Sequence, residues 1–286
     1  MGIWQWLEKI FGDGEDGLTE KQLIRLENFA EAVKTATARE VIHIEAQPST
    51  DLAITDSKFG GVPYLPQGVA LPTARNGKPL FMLAQINCEQ LPENSIYPKK
   101  GLLQIWVAAN GKYCGNQYNP YSPNTQRVIY YPTLDEATNY DDFKQVYQFE
   151  GKPLPFAPTQ AYRLSFNKGV DTFSYENLRF NHSLLPLWQK HFGERRDHFR
   201  LLPERVGEKL RKLLPPSPRG HRIGGYSDVE DMVEAIDNNG LPKILLLRID
   251  TDEKIGIHCR DNDSVNFLIG KEDFEALNFS RVQHSI

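Results

Sequence analysis

The sequence predicts an α+β protein, mainly of antiparallel strands, in which an N-terminal helical segment precedes two pseudo-duplicated β-rich halves. Helical periodicity near the N-terminus, short β-branched runs separated by Pro, Gly and Asn, and a repeated Gly-Gly motif support this prediction. The predicted segments are the N-terminal helical segment 1–40, the first half 41–150 and the second half 151–286, all in one compact globular unit.

Two helical patterns open the chain. Trp4 begins a short amphipathic turn, but Lys9 is the only basic residue there, whereas membrane-surface helices are basic on their polar face. We therefore expect this Trp-rich turn to pack on the protein's own core, and its role stays open. A capping box of Thr19 and Gln22 then starts an amphipathic helix that is expected to reach about residue 38.

From Val41 onward the apolar residues follow a period of two, which is typical of strands. Asn110-Gly111 directly follows a strongly apolar run and predicts a hairpin, whose strands must be antiparallel. The segment 215–220 is rich in Pro and is the plainest break in the chain. Strands are expected at 80–86, 102–109, 127–132, 162–166, 244–249 and 265–269, with helical pieces within 184–214.

A weak internal duplication is the most informative pattern. Residues 57–61 read SKFGG and residues 221–225 read HRIGG, so a basic residue, an apolar residue and two glycines match in order. The strand centred on Gln85 follows Gly61 by 24 residues, and the strand centred on Arg248 follows Gly225 by 23. This single long period predicts two β-rich halves related by a pseudo-two-fold axis and excludes a solenoid.

The Gly-Gly motifs allow two interpretations. Gly60-Gly61 and Gly224-Gly225 can form tight turns or bulges, because glycine adopts positive φ without strain. Alternatively, their exposed N–H groups beside Lys58 or Arg222 form an anion-binding concavity.

Gln85 and Gln104 lie on otherwise apolar strands, where an amide is costly unless it is hydrogen-bonded. They are either satisfied core amides or, with Lys58 and Tyr64, the lining of a cleft between the halves. The tyrosine-rich stretch 113–131 suits the rim of a binding site.

Four carboxylates flank the loop between the last two predicted strands, at Asp250, Asp252, Asp261 and Asp263. Alternate carboxylates can share a hard cation such as Ca²⁺, but the spacing does not fit the EF-hand loop, and Asp-rich hairpin loops are usually turns. Whether they bind a cation stays open, and no metal site or cofactor is predicted.

Composition excludes several classes of function. The 286 residues carry a formal charge of −4, so no basic face for nucleic acid is expected, and no apolar stretch is long enough to cross a membrane. The three cysteines are far apart and indicate buried thiols in a reducing compartment. With no secretory signal at its start, the protein is expected to be cytoplasmic.

Several blocks in a shared order resemble the bacterial YwqG family, a family defined as a domain of unknown function. They are SKFGGVPYLP at 57–66, LAQIN at 83–87, GLLQIW at 101–106, HRIGGY at 221–226, LLLRIDTD at 245–252 and VNFLIGKEDF at 265–274. The second half departs from the family pattern at 227–229 and 258–262. The resemblance implies an α+β fold rich in antiparallel strands, and it implies no established activity or catalytic residues.

The sequence thus favours a non-enzymatic binding or protein-interaction module whose partner is an unknown small ligand or protein. The alternative is an enzyme acting on a small anionic substrate in a cleft between the halves, with or without the assistance of a metal. Enzymatic activity and oligomeric state therefore stay open. The candidate ligand-binding residues are Lys58, Gly60, Gly61, Gln85, Gln104, His221, Arg222, Gly224 and Gly225.

Overall fold

The computed structural model describes residues 18–110, 113–114, 125–137, 154–227, 243–259 and 264–285. The predicted Trp-rich turn at the N-terminus lies outside these residues. The helices of this part are α1 (Glu20–Ala36), α2 (Tyr175–Phe180), α3 (Leu185–Phe192), α4 (Glu204–Leu213) and α5 (Lys271–Glu275), with short 3₁₀ turns at Cys88–Gln90 and Phe279–Arg281. The strands are β1 (Arg39–Pro48), β2 (Lys58–Gly60), β3 (Phe81–Asn87), β4 (Leu102–Val107), β5 (Ala109–Asn110), β6 (Tyr113–Cys114), β7 (Gln126–Tyr131), β8 (Ala161–Asp171), β9 (Arg222–Gly224), β10 (Ile244–Asp250), β11 (Ser264–Ile269) and β12 (Gln283–Ser285).

Ten of these strands form one sheet in the order β12-β11-β10-β9-β1-β8-β2-β3-β4-β7. The sheet is mostly antiparallel, so the predicted α+β class is confirmed. The predicted hairpin is confirmed as well, because Ala109 pairs with Cys114 and Asn110 pairs with Tyr113 in a separate two-stranded sheet.

The sheet contains two sets of strands with the same pairing pattern. The first set is β2-β3-β4-β7 and the second is β9-β10-β11-β12, and each begins with a short strand that ends at a Gly-Gly pair. The long strand β1 lies beside β9, whereas β8 lies beside β2. Thus β1 precedes the first set in the chain but pairs with the second set. In the same way, β8 precedes the second set but pairs with the first.

Both sets also carry a β-bulge at the same place. Against β4, β3 has one extra residue at Leu83, and against β11, β10 has one extra residue at Leu246. A bulge increases the local twist of a strand, so the two sets bend their sheet at corresponding positions.

The chain divides into two compact units. The helical unit comprises Met1–Arg39, Val170–Pro218 and Tyr226–Glu234, and the sheet unit comprises the remainder. In the helical unit, the capping box predicted at Thr19 is present and α1 buries its apolar side against α3. Phe29 meets Trp188 edge-on, with ring centroids 5.1 Å apart, and Trp188 stacks on Phe192 at 4.0 Å.

In the sheet unit, the sheet curls strongly around its apolar core. Phe59 in β2 contacts His221 at the start of β9, with ring centroids 5.2 Å apart, although two strands lie between β2 and β9 in the sheet order. At the sheet margins, the side-chain Nε2 of Gln126 in β7 donates to the carbonyl of Val282, 2.6 Å away and next to β12. The two edge strands thus approach each other. Among the described residues, no helix is long and apolar enough to cross a membrane.

Candidate functional site

Three of the predicted site residues, Lys58, Gln85 and Gln104, form one buried network in the first strand set. Lys58 and Gln104 each lie directly opposite Gln85 on the neighbouring strands. Gln104 Nε2 donates to Gln85 Oε1 at 2.9 Å and to the carbonyl of Tyr64 at 2.6 Å. The two glutamines and Tyr64 are therefore joined by direct hydrogen bonds, whereas Lys58 is linked to Gln85 only through the carbonyl of Ile54, which accepts from both side chains.

The amide of Gln85 has no hydrogen-bonding capacity left for a ligand. Its Oε1 accepts from the backbone N–H of Tyr64 at 2.8 Å as well as from Gln104. Its Nε2 donates to the carbonyls of Ile54 and Asp56, both at 2.8 Å. An amide offers two donors and one oxygen, and all are used here, so Gln85 ties two loops to the sheet.

Lys58 is 2% exposed and points its ammonium at the same loop. The Nζ atom donates to the carbonyls of Ile54 at 2.9 Å and Ala53 at 3.2 Å. Burial away from water lowers the pKa of Lys58 to about 8, and the nearby carboxylate of Asp56 opposes that shift.

The second strand set places a charged residue, Arg248, where the first has the amide of Gln85. Arg222 lies directly opposite Arg248, as Lys58 lies opposite Gln85, and both arginines are at most 3% exposed. Arg248 donates to the carboxylate of Asp250 at 3.3 Å, and Arg222 donates to the carbonyls of Arg219 and Gly220. Both arginines make further interactions. We call Arg222, Arg248 and Asp250 the arginine cluster.

His221 adjoins the arginine cluster and is buried. Its Nδ1 accepts the backbone N–H of Asp250 at 3.0 Å, so in the neutral ring the proton lies on Nε2. Burial lowers the pKa of His221, whereas the carboxylates of Asp252 and Asp250 oppose that shift. The Nε2 atom has no hydrogen-bond partner among the described residues.

Both Gly-Gly pairs adopt positive φ, between 59° and 70°. The N–H of Gly61 donates to the carbonyl of Pro158, and the N–H of Gly225 donates to that of Glu40, both at 2.9 Å. These two N–H groups are therefore hydrogen-bonded within the protein and are not available to an anion.

The acidic loop is only partly described. Asp250 Oδ2 accepts the N–H of Gly220 at 2.6 Å and Oδ1 accepts that of Thr251 at 2.9 Å, while Asp252 Oδ1 accepts that of Lys254 at 3.1 Å. Asp261 and Asp263 lie outside the described residues. In the part of the chain with described side chains, no group of three or more His, Cys, Asp or Glu could hold a metal ion.

A pocket of about 390 Å³ lies elsewhere in the sheet unit, along the edge strand β7. Its volume is in the range of small-ligand sites, and none of the nine predicted site residues lines it. We call this pocket the edge slot. Its walls are Gln126, Arg127, Val128, Ile129 and Tyr130 on one side and Leu277, Phe279, Ser280 and Val282 on the other.

Five consecutive residues of β7 line the edge slot. Because side chains alternate between the two faces of a strand, a pocket on one face would involve every second residue only. The edge slot therefore follows the hydrogen-bonding edge of β7. Tyr130 and Phe279 face each other there, with ring centroids 5.7 Å apart, and form an apolar floor.

Leu277 stands at the mouth of the edge slot in an unfavourable conformation. Its φ is 53°, the only positive value found for a non-glycine residue in the described chain, and its side chain is 48% exposed. A leucine in the left-handed region costs about 1–2 kcal/mol. The turn is fixed by Asn278, whose side chain bonds Asp273 and Ser280.

Sequence reasoning missed the edge slot because its walls are about 150 residues apart in the chain and contain no motif. The tyrosine-rich stretch 113–131, predicted as the rim of a binding site, is described only in part. Tyr130 lines the slot, whereas Tyr131 packs edge-on against Tyr64. Tyr118 and Tyr121 lie outside the described residues, as does the side chain of Tyr113.

Comparison with protein families matches residues 57–286 to a domain of unknown function, DUF1963. Since the match covers most of the chain, the protein belongs to the DUF1963 family. A search of curated proteins found no significant match.

Proposed function

We propose that this protein is a binding module without catalytic activity and that the edge slot is its ligand site. The strained, half-exposed Leu277 carries the proposal, because an apolar side chain held in a costly conformation at a pocket mouth points to a ligand contact. The slot combines an apolar floor with polar groups at its rim, as small-ligand sites do.

A thermal-shift screen of the full chain against metabolites, nucleotides and short peptides tests this proposal, since a ligand of the native state raises its apparent stability. Ser280→Trp should fill the slot and abolish the shift by any slot ligand. Leu277→Gly should weaken that shift while raising the midpoint for thermal unfolding of the free protein, because it relieves backbone strain.

Leu277→Ala removes the same side chain, and Leu201→Ala is its matched control, since both leucines are exposed and Leu201 belongs to the helical unit. Only the change at Leu277 should affect ligand binding. If every shift found in the screen survives in Ser280→Trp, the edge slot is not the binding site and the proposal fails.

The second candidate is an enzyme or binding protein for a small anion at the arginine cluster. Two buried guanidiniums opposite each other, with His221 alongside, favour this candidate. Its test is calorimetric titration with inorganic phosphate, in which Arg222→Gln should remove the heat. Lys58→Gln, at the corresponding position of the first strand set, is the matched control.

Three further proposals concern the origin of the two strand sets, the kind of family member and the location of the protein in the cell. The equal pairing order and the matching bulges at Leu83 and Leu246 support an internal duplication. The sequence blocks quoted above support a YwqG-like bacterial member of the family. The well-separated cysteines, of which Cys88 and Cys259 are buried free thiols, support a reducing cytoplasmic location.

A further inference from the structure

We infer that the ligand of the edge slot is an extended acidic peptide that adds a strand to β7. This inference rests on the proposed function, because it names the ligand class of the same slot. It depends on three properties of the slot: an apolar floor, and a strand edge and an arginine that both lack partners among the described residues.

The first property is the outer edge of β7. This strand ends the sheet order, and within the described residues no further backbone bond reaches its segment 128–130. In an antiparallel ladder every second residue directs its N–H and C=O to the same side, so this edge offers regularly spaced donors and acceptors. Residues 128–130 extend over roughly 7 Å, which suits pairing with about three residues of a peptide.

The second property is the floor formed by Tyr130 and Phe279, with Leu277 above it. Strand addition takes affinity from main-chain hydrogen bonds and specificity from pockets that accept alternate side chains. One apolar side chain of the peptide would rest on this floor beside Leu277.

The third property is the charge at the rim. Arg127 is exposed, lines the slot and has no ion pair among the described residues. The other arginine of this region, Arg281, lies 3.7 Å from the carboxylate of Asp273. A carboxylate of the peptide, from Asp, Glu or its C-terminus, complements Arg127.

The test starts from a displayed library of random seven-residue peptides selected on the full chain. The selected peptides are synthesised, and their affinities are measured by fluorescence anisotropy. We expect sequences with one apolar residue and at least one carboxylate, bound more weakly as salt increases. Arg127→Gln should weaken binding about fivefold or more, whereas Arg75→Gln, at an exposed arginine outside the slot, should not.

Methylation of single peptide nitrogens distinguishes strand addition from side-chain binding. In strand addition, alternate peptide N–H groups face β7, so methylation at every second position should lower affinity at least tenfold and methylation at the positions between should have little effect. Equal effects at all positions would overturn the inference. So would an unchanged affinity for Arg127→Gln, or a library that yields no peptide.

The two proposals fail in different ways. A small molecule whose thermal shift is lost in Ser280→Trp, combined with no peptide binding, leaves the slot as a ligand site and refutes the strand addition. Peptide binding that persists in Ser280→Trp refutes both.

Discussion

Gln85 and Arg248 occupy corresponding positions in the two strand sets, each directly opposite the basic residue that stands two positions before a glycine pair. In the first set this position carries a neutral amide with every hydrogen bond satisfied inside the protein. In the second set it carries a guanidinium beside Asp250. The same topology thus supports a neutral structural network in one set and a charged cluster in the other.

Replacing Gln85 should be strongly destabilising. Gln85→Leu leaves the N–H of Tyr64 and the carbonyl of Asp56 without their partner, while the carbonyl of Ile54 keeps only its bond from Lys58. Unsatisfied buried groups of this kind cost about 1–3 kcal/mol each, so we expect a loss of about 3 kcal/mol or more in the free energy of unfolding, measured by urea denaturation. Gln67→Leu, at an exposed glutamine, should stay within about 0.5 kcal/mol. A loss below 1 kcal/mol for Gln85→Leu would contradict the network.

The glycines of the two motifs should not tolerate a side chain. An added Cβ would lie 2.2 Å from the carbonyl oxygen of Gln160 at Gly60, and 2.8 Å from that of Glu40 at Gly224. Both positions also have positive φ. We expect Gly60→Ala and Gly224→Ala to cost more than 2 kcal/mol each in thermal or urea unfolding. Gly77 also has positive φ, but an added Cβ would meet no other atom there, so Gly77→Ala should cost only about 1 kcal/mol. An equal cost at all three sites would show that backbone strain alone, and not the close contact, causes the destabilisation.

The lowered pKa of Lys58, about 8 in the folded protein against 10.5 ordinarily, makes stability depend on alkaline pH. Between these values the unfolded chain holds a proton that the folded protein has released, so the free energy of unfolding rises with pH. Relative to Lys58→Met, the free energy of unfolding of the wild type should increase by about 2 kcal/mol between pH 7.5 and 9.5. Lys78→Met, at an exposed lysine, serves as the control. A difference between wild type and Lys58→Met that is independent of pH would show that Lys58 keeps an ordinary pKa.

His284 should make the free energy of unfolding depend on acid pH. It is buried against Phe267, and desolvation lowers its pKa to about 4 from 6.5. As the pH falls from 6.5 towards 4, the unfolded chain binds a proton at this histidine and the folded protein does not. The free energy of unfolding therefore decreases over this range. Relative to His284→Phe, the wild type should lose about 3 kcal/mol in the free energy of unfolding over this range. His258→Gln, at an exposed histidine, is the control. Parallel profiles for wild type and His284→Phe would refute the assignment.

Much of the local structure was predictable. The capping box at Thr19 starts a helix because its side chain and that of Gln22 satisfy each other's backbone N–H groups. The hairpin of β5 and β6 is equally local, because only two residues separate its strands. For Gln85 and Gln104, satisfied core amides were one of the two interpretations that the sequence allowed, because an amide on an apolar strand is costly unless it is hydrogen-bonded.

The edge slot was not predictable in the same way. Gln126 and Val282 are 156 residues apart, and nothing in their sequence surroundings relates them. The left-handed conformation of Leu277 was hidden too, because glycine is the residue that usually signals it.

The sequence by itself determined the β-rich composition, the repeated Gly-Gly motifs and the positions of most strands, because periodicity and turn chemistry act over a few residues. Only the tertiary structure decided that β1 pairs with β9 and β8 with β2, so that each strand set is completed by the long strand preceding the other. Strand pairing depends on contacts between distant residues, and many pairings satisfy the same local pattern. The place where the two sheet edges meet, and with it the edge slot, exists only once that pairing is complete.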